Sequence, residues 1–168
     1  MSVRVGSVEV SGGGILPLAR DRYKAKQTLK GIGALCGIEN TYFVRTKTAP
    51  HAGFYRHQDK TIVVVEKHKA KLIPMWRVAF YFFHELSHHL QREGGLFSAY
   101  YFEVAVVGGK KKKYTQTDRR RVALRAEQHA NQKACELAYE FFGLDLDVPK
   151  YSKEFLEDYQ AGIFKQGT

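Results

Sequence analysis

Apolar and polar residues follow strand-like or helix-like patterns along the first half of the chain. Residues 3–10 alternate between the two types and predict one strand, after which Ser11 and three glycines interrupt the pattern. Residues 18–35 place apolar side chains at helical spacing, which predicts an amphipathic helix. Two runs rich in β-branched and aromatic residues, 41–46 and 60–66, predict strands. Residues 53–55 are expected to pair with the second run through a turn.

A proline and two glycines mark the limits of the next predicted helix. Pro74 suits a first helical turn, apolar residues follow through about residue 92, and Gly94 and Gly95 end the run. After this helix, residues 102–107 have the composition of a strand. Residues 108–113, two glycines and four lysines, predict a loop.

The last part of the chain contains one long predicted helix. Asp118 is expected to cap it, and Gly143 to stop it after about Phe142. Residues 151–161 predict a final short helix. This element order favours an α+β fold: a small, mostly antiparallel sheet packed against two long helices and an N-terminal helix. A length of 168 residues indicates a single domain.

The first long helix carries the sequence HELSH, an H-E-x-x-H motif. His84 and His88 are four residues apart, so both imidazoles lie on one helix face and can reach the same Zn²⁺ ion. Glu85 follows the first histidine and would lie beside the open coordination position. There it would act as the general base that takes a proton from the attacking water.

A catalytic zinc normally has three protein ligands, so a third must come from elsewhere in the chain. Glu127 is our prediction, because it shares a face of the second long helix with small residues that permit close helix packing. His129 is a rival, although it lies roughly 200° around that helix at about 100° per residue. Glu93 and Glu103 are weaker rivals. The predicted cofactor is therefore one zinc ion, with the metal core at about residues 40–142.

Charge is uneven along this basic chain, whose net charge is +10. Residues 110–125 hold eight basic side chains and one acidic side chain, whereas residues 126–168 have a net charge of −4. Such a basic segment indicates contact with nucleic acid or with an acidic partner, although a solvated surface loop is an equally ordinary explanation. The candidate contact residues are Lys110, Lys111, Lys112, Lys113, Arg119, Arg120 and Arg121.

Two cysteines, Cys36 and Cys135, are too few for a disulfide-stapled scaffold or a four-thiolate zinc site. No apolar run approaches the roughly 20 residues of a membrane helix, and residues 1–10 lack the apolar core of a secretion signal. We therefore expect a cytoplasmic protein with reduced thiols and no membrane partner. A phage- or element-encoded protein would occupy the host cytoplasm.

The strand at residues 62–65, the HELSH helix and the downstream sequence EQHANQKA together resemble the ImmA/IrrE metallopeptidase family. The resemblance covers roughly residues 40–142. It implies a gluzincin-like zinc peptidase core in which His84, His88 and Glu127 are ligands and Glu85 is the general base. It also implies a substrate class, DNA-binding repressors of the helix-turn-helix type, whose cleavage releases stress-response or mobile-element genes.

Two other classes of protein are consistent with some of the same sequence features. A SprT-like protease that acts on DNA-bound proteins would match the basic charge. A nucleic-acid-binding module with a structural or vestigial zinc site would match the 110–125 segment, in which Tyr114 could stack on a base. The group that stabilises the oxyanion stays open among Tyr100, Tyr101 and His129.

Overall fold

The computed structural model describes residues 2–5, 8–11, 21–47 and 52–147. Within these ranges the chain forms eight strands and four helices. They are β1 (Ser2–Val5), β2 (Val8–Ser11), α1 (Arg22–Leu35), β3 (Asn40–Thr46), β4 (Gly53–Arg56), β5 (Thr61–His68), β6 (Lys71–Leu72), α2 (Met75–Glu93), α3 (Ser98–Tyr101), β7 (Val104–Val107), β8 (Lys110–Lys113) and α4 (Gln116–Phe142).

The structure corrects the prediction of a single strand at residues 3–10. Residues 3–10 do not form one strand, because β1 and β2 pair antiparallel, with Val5 opposite Val8. Gly6 and Ser7, which separate the two strands in sequence, are residues that favour a tight turn. The start predicted for the first helix and the predicted helix at 151–161 lie outside the described residues. In the described part, α1 follows Asp21, whose side chain accepts a hydrogen bond from the Lys24 amide at 3.0 Å.

The central sheet has the order β3-β5-β4, and β6 pairs with the end of β5. The pairing of β4 with β5 is antiparallel, as the turn at residues 57–60 predicts. β3 runs parallel to β5, and it is the one parallel pair among the five strand pairs of the described residues. The predicted α+β class with a mostly antiparallel sheet is therefore confirmed.

The lysine run is a strand and not the predicted loop. β7 and β8 form a two-stranded antiparallel hairpin in which Val107 pairs with Lys110. Gly108 and Gly109 connect them with φ values of 57° and 76°, the left-handed conformation that a tight two-residue hairpin turn requires. The turn chemistry thus outweighs the low strand propensity of lysine.

The two long helices pack directly against each other. Their predicted ends are close to those observed, but Thr115 and not Asp118 caps α4. Asp118 stands at the third helical position and completes a reciprocal capping box with Thr115. The contact face of α4 is a stripe of four fully buried alanines, which lets its backbone approach α2: Ala126, Ala130, Ala134 and Ala138.

Partly buried polar contacts fix α1 and β4 to this core. The Glu66 carboxylate on β5 lies 3.1 Å from Lys26 and 3.5 Å from Arg22 of α1. His89 of α2 donates from Nε2 to the Cys36 carbonyl and accepts from the Tyr55 hydroxyl, both at 2.8 Å. These bonds hold the end of α1 and the strand β4 against the helix that carries HELSH.

Two further expectations concern the thiols and the membrane. Cys36 and Cys135 are both free thiols. In the described ranges, no helix combines the length and apolar character needed to cross a bilayer.

Candidate metal centre

Helix α2 presents both motif histidines to the interior. The apolar run before the motif buries Phe80, Phe82 and Phe83, so this part of the helix is covered by packing. His84 and His88 follow on the side that faces α4 and are 7% and 6% exposed. Their ring centroids are 4.7 Å apart, and the planes of the two rings are nearly perpendicular. Their Nε2 atoms are separated by 3.1 Å.

Glu127 meets these two histidines from α4. Its Oε2 lies 3.1 Å from His84 Nε2, and its Oε1 lies 3.2 Å from His88 Nε2. The alanine stripe on either side of Glu127 permits this approach. Stacked rings of Phe83 and Phe141, with centroids 5.8 Å apart, hold the same two helices together further along.

The outer nitrogens of both histidines face amide oxygens. His84 donates from Nδ1 to Asn131 Oδ1 at 2.7 Å, and His88 donates from Nδ1 to Gln91 Oε1 at 3.1 Å. Since an amide oxygen only accepts, each Nδ1 carries the proton and each neutral ring directs its Nε2 lone pair inward.

Three electron-pair donors therefore converge with no hydrogen-bond donor between them when both rings are neutral. Two Nε2 lone pairs and an ionised carboxylate would repel one another at separations of 3.1–3.2 Å. Such a set requires a cation, either a proton or a metal. His84, His88 and Glu127 are the group of metal-ligating side chains in the described residues that could hold a metal ion.

The titration behaviour of the metal-free group follows from this geometry. Burial lowers the pKa of His88, but the hydrogen bond and charge of Glu127, with the charge of Glu85, outweigh it and raise the pKa to about 9. Burial raises the pKa of Glu127, but hydrogen bonds from His84 and His88 hold it well below its usual range. When His88 is protonated, the proton on its Nε2 occupies the place that a metal would take.

Glu85 lies on the side of α2 that faces β4. A Cβ atom added to Gly53 would be 3.5 Å from Glu85 Cγ and only 2.7 Å from the Val63 carbonyl oxygen. The first distance is an ordinary van der Waals contact, whereas the second leaves no room for a side chain, so only glycine permits the backbone of β4 to run this close to the Val63 carbonyl. The first contact places Glu85 against a face of β4. In the described residues no strand pairs with the outer edge of β4.

Two tyrosines of α3 reach the same group. Tyr100 donates to Glu127 Oε1 at 2.7 Å, and its ring lies 5.8 Å from that of His88. Tyr101 donates to Gln91 Oε1 at 2.5 Å and lies 3.0 Å from His88 Nδ1. The Tyr100 hydroxyl therefore touches a carboxylate oxygen of Glu127, whereas the Tyr101 hydroxyl touches the opposite side of His88.

The rival ligands are not part of the cluster. His129 accepts a hydrogen bond at Nδ1 from Gln91 Nε2 at 2.9 Å, so its ring contacts a residue that supports His88. Glu93 and Glu103 are exposed. His89 points away from the cluster and is buried, with its ring nitrogens bonded to Tyr55 and to the Cys36 carbonyl.

Sequence reasoning missed the supporting roles of Gln91 and Asn131. Gln91 is 1% exposed and links the two helices, since its Nε2 donates to the Ala126 carbonyl next to Glu127 at 2.9 Å. Their spacing could have indicated these roles. Gln91 is three residues after His88 and Asn131 is four after Glu127, so each lies on the same helix face as a residue of the cluster.

The basic side chains of residues 110–125 lie in different surroundings. The Arg119 guanidinium donates to the Ala99 carbonyl at 3.3 Å, which ties α4 to α3. Lys112, Lys113, Arg120 and Arg121 line an open groove of about 800 Å³ between the β7–β8 hairpin and α4.

Comparison with known proteins adds no assignment: no family model, no curated protein and no solved structure matches this chain. The resemblance to the ImmA/IrrE family consequently rests on the residues quoted for it.

Proposed function

We propose that the protein is a zinc-dependent metallopeptidase whose ligands are His84, His88 and Glu127. The observation that carries the proposal is the convergence of three electron-pair donors, two of them on the helix whose Glu85 contacts β4. In the described residues one edge of β4 is unpaired. Ligand atoms of a tetrahedral site with bonds of about 2.0–2.1 Å are about 3.3 Å apart. In this cluster the two Nε2 atoms are 3.1 Å apart, and a different Glu127 oxygen lies 3.1–3.2 Å from each of them, so the donors are close enough to share one metal ion such as zinc.

The number of ligands favours a catalytic site over a structural one. Structural zinc sites are closed by four protein ligands, whereas catalytic sites use three and keep one position open. In the described ranges the cluster contains three residues. A bound zinc ion would supply Lewis-acid polarisation of the scissile carbonyl and a lowered pKa for the attacking water.

The remaining chemistry belongs to side chains of this protein. Glu85 accepts the proton of the attacking water and passes it to the nitrogen of the leaving amine. An extended substrate adds to the outer edge of β4, whose backbone groups align it beside Glu85. Tyr100 is the best placed of the three oxyanion candidates, because its hydroxyl already lies at a ligand oxygen of Glu127. A helix-turn-helix repressor is the proposed substrate on the strength of the family resemblance alone.

The direct test is cleavage by the Glu85→Gln variant. Purified protein is incubated with peptides from a whole-proteome digest, and new termini are identified by mass spectrometry. Wild type should generate new termini that disappear in Glu85→Gln and after chelation, and that return when zinc is restored. Glu93→Gln, the same change at an exposed position of the same helix, should leave cleavage intact. Equal cleavage by Glu85→Gln would contradict the assigned base, and zinc-loaded wild type without cleavage would contradict the peptidase proposal.

A further inference from the structure

The groove between the β7–β8 hairpin and α4 is strongly cationic. Its volume is about 800 Å³, and it is lined by five basic side chains, three of them arginines. They are Lys112, Lys113, Arg120, Arg121 and Arg125. Hairpin and helix are consecutive elements, so the fold turns charges of the single segment 110–125 toward one concavity.

The carboxylate nearest these five cations is Asp118, whose pKa is lowered first by hydrogen bonds from Thr115 and further by the charges of Lys112 and Arg121. In the described residues none of them forms an ion pair with a carboxylate. The one acidic residue of the groove, Asp118, is engaged by Thr115, which donates to it from its amide at 3.0 Å and from its hydroxyl at 2.7 Å. Like charges confined to one groove raise the local positive potential, which an anionic ligand would neutralise.

Apolar and aromatic side chains also line the groove. Val107, Val122 and Leu124 contribute to its surface, with Tyr114 at the junction of hairpin and helix. Tyr114 is half-buried, and Val107 is 64% exposed. Duplex DNA presents mainly phosphates to a basic surface, whereas unpaired bases also offer flat apolar faces.

We infer that this groove binds single-stranded nucleic acid, with the lysines and arginines on phosphates and the bases against Tyr114 and the valine side chains. Arginine is suited to phosphate because its planar guanidinium donates two parallel hydrogen bonds. An acidic peptide would use the same charges but would leave the apolar part of the groove without a matching surface. This surface is separate from the metal ligands, and the inference does not depend on peptidase activity.

Fluorescence anisotropy with a labelled oligothymidylate of about 20 nucleotides tests the inference. Each phosphate contact to a single strand contributes about −0.7 to the slope of log affinity against log salt. If all five cations engage phosphates, we expect a slope of about −3.5, which should fall to about −1.4 in the triple variant Arg120→Gln, Arg121→Gln, Arg125→Gln.

The matched control removes three charges elsewhere on the surface. Lys24, Lys47 and Lys71 are exposed and lie outside the groove, so their triple change to glutamine gives the same net charge. The control should keep the wild-type slope. If both triple variants lose affinity equally, overall charge and not the groove binds the strand, and the inference is wrong.

Two unlabelled competitors test whether the groove binds duplex DNA or an acidic peptide instead. Unlabelled duplex of the same length and poly-glutamate should both compete more weakly than unlabelled single strand. Competition by either one at equal or lower concentration would overturn the assignment to single-stranded nucleic acid. The Glu85→Gln variant should bind the oligonucleotide as wild type does, so failure of the peptidase proposal and failure of this inference give different results.

Discussion

Gln91 gives the sharpest test of how the metal centre is positioned. Its Oε1 accepts from His88 and Tyr101, while its Nε2 donates to the Ala126 carbonyl and to His129. Replacement by methionine keeps the length and volume of the side chain but removes all four hydrogen bonds. The change therefore leaves packing nearly intact and withdraws the group that fixes the tautomer of His88.

Two separate losses are expected from Gln91→Met. His88 Nδ1 can still use the Tyr101 hydroxyl at 3.0 Å, so about one buried polar group is left unsatisfied, at a cost of about 1–3 kcal/mol in the free energy of unfolding. Loss of the group that orients a ligand histidine typically lowers metal affinity about 10- to 100-fold, which corresponds to about 1.4–2.7 kcal/mol. The loss of zinc affinity is measured on folded protein and is therefore separate from the loss of unfolding free energy.

The assay is zinc binding in competition with a fluorescent chelator, carried out where circular dichroism shows that every variant is folded. Gln132→Met makes the same chemical change at an exposed position of α4 and should bind zinc as wild type does. Visible absorption of the Co²⁺-loaded proteins reports whether the ligand geometry has changed. Zinc affinity of Gln91→Met within twofold of wild type, with an unchanged cobalt spectrum, would refute the positioning role of Gln91.

Three further predictions concern the same region. Gly53→Ala should cost about 1–3 kcal/mol in unfolding free energy by chemical denaturation, because its Cβ would lie 2.7 Å from the Val63 carbonyl oxygen. His89→Ala should cost about 2–4 kcal/mol in the same assay, since two partly buried hydrogen bonds and the packing of a buried ring are lost. Zinc affinity should rise between pH 6.5 and 9, because the metal must displace the proton that His88, with a pKa near 9, retains until then. Unchanged stability in either variant, or a flat pH profile, would contradict the respective argument.

Helix α2 could be predicted from sequence because the residues that define it are close together in the chain. A helical apolar run, a proline at its start and two glycines at its end define α2, and the four-residue spacing places His84 and His88 on one face. Glu127 was predictable for a similar reason, since small residues at helical spacing mark the face of α4 that approaches another helix. These features depend on neighbours within one or two turns.

Tertiary contacts and turn geometry account for what sequence reasoning missed. The lysines of β8 have low strand propensity, and only the two-glycine turn, with positive φ at both positions, indicates the hairpin. The parallel pairing of β3 with β5 depends on how the intervening strand β4 is placed. The link from Gln91 to the Ala126 carbonyl joins residues 35 positions apart, which no local pattern encodes.

The zinc content of the purified protein tests the central claim most directly. Elemental analysis after incubation with zinc and gel filtration should give about one zinc per chain for wild type, as a three-ligand site predicts. Glu127→Ala should contain almost none, whereas Glu136→Ala, an exposed carboxylate on the same helix, should match wild type. Wild type that takes up no zinc, or Glu127→Ala that retains a full equivalent, would contradict the assignment of His84, His88 and Glu127 as the metal site.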